Sequence, residues 1–107
     1  MPQSPYYPIG SQLSAAITTN TTTTINVGSG AIFSGLIVNT AGSAWNVEIY
    51  NGIPTSGGVL LATIPANTQG VVDSPMLACP KGLYVVTAGT TAGSVSVAYY
   101  ATSASFV

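Results

Sequence analysis

The sequence predicts an all-β fold of two antiparallel sheets packed as a sandwich, of jelly-roll type in preference to an immunoglobulin-like one, behind an extended N-terminal arm. Three observations carry this expectation. Apolar and polar residues alternate with a period of two, turn residues interrupt the alternation at short intervals, and no segment shows the spacing or capping of a helix. At 107 residues the chain holds one domain, and its 47% hydrophobic content is enough for one packed core.

Residues 1–12 carry Pro2, Pro5 and Pro8, which restrict the backbone to extended or polyproline-like geometry, and nothing there alternates. They read as an arm, with residues 13–107 forming the sandwich domain. Tyr6, Tyr7 and Ile9 are poor side chains to leave in water, so they are the interface candidates, packing on a neighbouring subunit or back on their own domain.

The first strands are expected at 13–18 and 22–27, the second placing Thr23, Ile25 and Val27 on one face of a Thr-rich tract. Gly28-Ser29-Gly30 ends it. Residues 31–40 read as a central strand covered on both sides, with Ile32, Leu36 and Val38 on one face and Phe33 and Ile37 on the other. Gly35 marks a bulge or a close backbone approach. After Ala41-Gly42-Ser43, residues 45–50 alternate Trp45, Val47 and Ile49 against Asn46, Glu48 and Tyr50, which places Trp45 in the core. Asn51-Gly52 opens a loop through Pro54 and Gly57-Gly58, and residues 59–64 resume the sheet until Pro65. A shorter strand is expected at 70–74, then an irregular segment around Cys79 between Pro75, Pro80 and Gly82. Residues 83–87 and 94–100 are the last two strands, joined by a loop over 88–93.

Charge narrows the partners. Glu48, Asp73 and Lys81 are the whole ionic inventory, 3% of the residues, against roughly a quarter in an average soluble domain. With a net charge of −1, little repulsion separates one copy from the next, so association is the expected state. One Lys and no Arg argue against nucleic acid as a partner. The runs Leu36-Ile37-Val38 and Val59-Leu60-Leu61-Ala62 fall far short of the roughly 20 residues of a membrane-spanning helix, so no membrane partner is expected. Residues 1–8 show neither the basic nor the apolar region of a secretory signal, which points to the cytoplasm, and the lone Cys79 fits a reducing compartment.

Three segments stand in order: Gly35-Leu36-Ile37-Val38-Asn39-Thr40-Ala41-Gly42, Val47-Glu48-Ile49-Tyr50-Asn51-Gly52 and Leu83-Tyr84-Val85-Val86-Thr87-Ala88-Gly89. Together with the Ala62-Thr63-Ile64 strand and the Val-Ser-Val ending near Tyr99, they make the chain resemble small β-sandwich virion structural proteins of tailed bacteriophages, of the capsid decoration or cement type, over residues 32–100. The resemblance implies a structural role on a particle assembled in the host cytoplasm, with the major capsid protein as partner. Related sandwiches occur in tails and head fibres. The proline-rich arm, Trp45 and Cys79-Pro80 depart from the pattern and leave the mode of attachment open.

Catalysis is not expected, and no catalytic, cofactor-binding or metal-binding residues are assigned. There is no His, and Glu48 and Asp73 are the only side-chain carboxylates, so an acid–base pair would require folding to bring those two within about 5–10 Å. Cys79 has no His to activate it and reads as a small buried thiol. Three functions stay in view: a capsid decoration protein, expected as a homotrimer where shell subunits meet; a glycan-binding or adhesive module of a tail or head fibre, with Trp45 as the sugar-stacking candidate; and a secreted surface-layer or pilus-like subunit.

Overall fold

The computed structural model describes residues 12–26 and 30–101. The interface candidates Tyr6, Tyr7 and Ile9, and with them nearly all of the arm, lie outside the described residues, as does Val27. Eight strands follow in order: β1 (Gln12–Leu13), β2 (Thr22–Asn26), β3 (Ala31–Thr40), β4 (Ser43–Asn51), β5 (Val59–Pro65), β6 (Gly70–Cys79), β7 (Leu83–Thr91) and β8 (Ser94–Ala101). They form two four-stranded sheets, β1-β8-β3-β6 and β2-β7-β4-β5, here called the β3 sheet and the β4 sheet. Every pairing is antiparallel. β1 pairs with β8, β2 with β7, β3 with β6 and β4 with β5, and only β4 and β5 are consecutive strands within one sheet.

The core lies between the sheets. Phe33, Leu36 and Val38 of β3 meet Trp45, Val47 and Ile49 of β4, with Leu83, Val85, Val95 and Val97 from the flanking strands, all at most 1% exposed. Alternation produces this in β4, where Asn46, Glu48 and Tyr50 take the outer positions. Trp45 is therefore a core residue, as its spacing from Val47 and Ile49 predicts.

β3 corrects a simple count by two. The register passes from Phe33↔Tyr99 to Gly35↔Ala98, so Ser34 is an extra residue and the strand changes phase there. Phe33 joins Leu36 and Val38 inside, while Ile32, expected with them, and Ile37 are half-buried on the outer face. Gly35 has the bulge and the close approach together: a Cβ there would lie 2.8 Å from the Val72 carbonyl oxygen.

Three segments differ from their expected bounds. The 13–18 strand reduces to Gln12–Leu13 on β8 and a single bridge from Ile17 to Val95. Its residues Ser14 and Ile17 still bond to β8, the Ser14 N–H donating to the Val97 carbonyl at 2.9 Å. The irregular segment around Cys79 is instead the second half of β6. Between Phe33↔Leu77 and Gly35↔Asp73, residues 74–76 stand opposite Ser34 alone, and this edge bulge accommodates Pro75, which has no N–H to give a ladder. Finally, the 88–93 loop shrinks to Ala92-Gly93, because Gly89 is a ladder residue packed against Ala44 and Trp45 rather than a turn.

Ala41-Gly42 and Ala92-Gly93 make the two shortest crossings between sheets, and they stack at one end of the sandwich. A Cβ on Gly42 would meet the Thr91 carbonyl and the Trp45 side chain at 2.7 Å each, and one on Gly93 would collide with the Thr40 carbonyl.

Candidate assembly surfaces

The sandwich holds its outer surfaces through a few buried polar anchors. The Trp45 indole N–H donates to Asn20 Oδ1 at 2.7 Å, and the Asn20 amide donates in turn to the Gly89 carbonyl at 2.9 Å. The Trp45 backbone N–H donates to Asn67 Oδ1 at 2.9 Å. Thr87, 2% exposed, donates its hydroxyl to the Thr19 carbonyl at 2.6 Å and accepts the Thr21 N–H at 3.0 Å. The Thr-rich tract, though mostly exposed, is thus tied to β7 and to the indole.

The outer face of the β3 sheet is aliphatic. Register brings Leu13 beside Ala98, Ile37 between Ser96 and Val71, and Ile32 between Tyr100 and Ala78. Leu13 is 54% exposed, Met76 60% and Val71 70%. A groove of about 290 Å³ runs across this face, walled by Leu13, Ser34, Ile37, Val71, Asp73 and Ala98, and the missing side chain of Gly35 keeps its floor low. Asp73 is the only charged side chain on this face among the described residues.

The outer face of the β4 sheet is different. Tyr50 and Tyr84 are cross-strand neighbours, flanked by Leu60 and Thr24, and in the next row Glu48 lies between Val86 and Thr63. Hydroxyls and tyrosine rings share this face with aliphatic side chains, Leu60 among them at 47% exposed. A larger cleft of about 440 Å³ separates residues 13–19 from β2, and its lining divides evenly between hydroxyl residues, Ser14 and five threonines, and apolar or aromatic ones such as Leu13, Ile17, Ile25 and Tyr99.

Glu48 and Asp73 do not meet. Glu48 alternates with buried Val47 and Ile49, and Asp73 follows Val72, which packs on the core, so the carboxylates project from opposite outer faces. Two packed sheets stand about 10 Å apart, which puts the carboxylates beyond the reach of a shared reacting atom. Cys79 is buried, its thiol donating to the Leu77 carbonyl at 3.6 Å; burial pushes the thiol above its ordinary range, partly offset by a backbone hydrogen bond with Phe33. No group of three or more His, Cys, Asp or Glu comes together among the described residues. No helix among them is long and apolar enough to cross a membrane.

What this arrangement offers a partner is apolar area and neutral hydrogen-bonding groups. The sequence left the aliphatic face unseen because it appears only once β1, β8, β3 and β6 are in register. The alternation of Val71 and Asp73 against Val72 was a usable signal. Compared with protein-family models, curated proteins and solved structures, the chain matches none.

Proposed function

We propose that the protein is a virion structural protein of a tailed bacteriophage, a capsid decoration protein that binds across subunits of the major capsid protein, stabilises the shell and forms homotrimers. The observation that carries this reading is the aliphatic outer face of the β3 sheet on a chain with three charged side chains. Apolar area removed from water contributes roughly 25 cal/mol per Å², and repetition at every symmetry-equivalent position turns a modest contact into firm attachment. The role is binding rather than catalytic, in keeping with the separated carboxylates and the buried Cys79. The pairing of β1 with β8, β2 with β7, β3 with β6 and β4 with β5 supports a jelly roll, an antiparallel ribbon folded over so that its ends close on each other, over an immunoglobulin-like sandwich.

The test is the particle itself. Quantitative mass spectrometry and electron microscopy of purified virions are expected to find the protein in fixed stoichiometry with the major capsid protein, as density on the shell. Its absence from purified particles would overturn the proposal. Among the described residues a glycan-binding role finds support in the Tyr50–Tyr84 pair and not in Trp45, which is 0% exposed, and it requires a Tyr84→Ala variant to lose sugar binding without losing its fold.

A further inference from the structure

We infer that the aliphatic groove on the β3 sheet is the receiving surface for the N-terminal segment, residues 1–9, of a second copy of this chain. The inference concerns how copies join, and it holds whether or not they coat a particle.

The groove asks for an uncharged apolar occupant. Its walls are Leu13, Ile37, Val71 and Ala98 with one carboxylate, Asp73, so an acidic or multiply charged strand would be desolvated there without compensation. Residues 1–9, Met-Pro-Gln-Ser-Pro-Tyr-Tyr-Pro-Ile, have no charged side chain and carry Tyr6, Tyr7 and Ile9. A proline-rich segment is also a low-cost ligand. Its backbone is restricted before binding, so little conformational entropy is lost, and such segments dock along apolar and aromatic grooves.

Direction decides between the chain's own groove and a neighbour's. Gln12 faces Tyr99 and Leu13 faces Ala98, so β1, followed backward, points away from the groove toward the Ala101 end of β8. The groove lies the other way, along Ser34–Ile37 and Val71–Asp73, whose register partners on β8 run from Ala98 back to Ser96. Reaching its own groove would require the segment to reverse within the few residues around Gly10, against the stiffness of Pro8 and Pro5. Nine residues in polyproline geometry span about 28 Å, more than the roughly 15 Å across four strands about 4.8 Å apart, which is the direction in which the groove runs. Each copy then gives its segment to the next, a head-to-tail contact that closes into a ring when the rotation allows, as it does in a trimer.

Two full-length variants test this, Ile9→Cys and Val71→Cys, one of them isotopically heavy. They are mixed and treated with a short bismaleimide, whose reach tolerates small differences of register, while buried Cys79 stays unreactive. The expected result is a covalent heterodimer several-fold more abundant than either homodimer. A chain carrying both substitutions is expected to give intermolecular ladders. Adding Val71→Asp at this exposed position, or Tyr6→Ser with Tyr7→Ser, is expected to abolish association with the circular dichroism spectrum unchanged. A heterodimer no more abundant than the homodimers would overturn the inference. So would an intramolecular link in the doubly substituted chain, which would place the segment on its own domain.

Discussion

Trp45 joins core to surface. Its ring is fully buried between the sheets, and its N–H holds Asn20, which holds the Gly89 carbonyl. Trp45→Ala is expected to cost about 3–5 kcal/mol in urea unfolding, as deletion of a buried aromatic does. Trp45→Phe should cost less but still loosen the Thr-rich tract, seen as faster amide exchange at Thr19–Thr21. Thr87→Val keeps the volume and removes the hydroxyl that serves the Thr19 carbonyl and the Thr21 N–H, an expected loss of about 1–3 kcal/mol. Cys79 supplies a pH signature. Because its folded thiol titrates above the ordinary value, the protonated form is favoured by folding, so this contribution is complete below about pH 8.5 and is lost as pH rises through the raised value. The urea midpoint should fall in that alkaline range, and Cys79→Ala should flatten the decline.

At the scale of elements, the strands legible in the sequence are those with unbroken alternation: β4 around Trp45, Val47 and Ile49, and β8 around Val95 and Val97. The errors share a cause. Pro75 and Gly89 were read as breakers because local chemistry makes them so in isolation, yet one sits in a bulge of an edge strand and the other fills a space only glycine fits. Counting by two groups Ile32 with Leu36 and Val38, but the bulge at Ser34 changes phase, and no local rule reports the register of β8 against β3. The aliphatic face was hidden for the same reason, being assembled from four strands that are distant in sequence. β6 also faces an edge problem: ten residues with no neighbour on one side among the described strands. Its bulge and Pro75 interrupt the ladder, so Pro75→Val should leave the thermal midpoint nearly unchanged while raising light scattering at high concentration.

For the whole molecule, the governing fact is a surface of 5545 Å² served by three charged side chains. One outer face is aliphatic, the other carries tyrosines and threonines, and neither offers charge enough to repel a second copy. Association through such surfaces draws on apolar area and hydroxyl contacts. Salt screens charge and leaves those contacts in place. Sedimentation of the full chain at micromolar concentration, in low and in high salt, therefore tests the account most directly. A trimer of the same stability in both conditions is the expected result. A monodisperse monomer in both, or a trimer that dissociates as salt rises, would contradict an assembly held by uncharged surfaces.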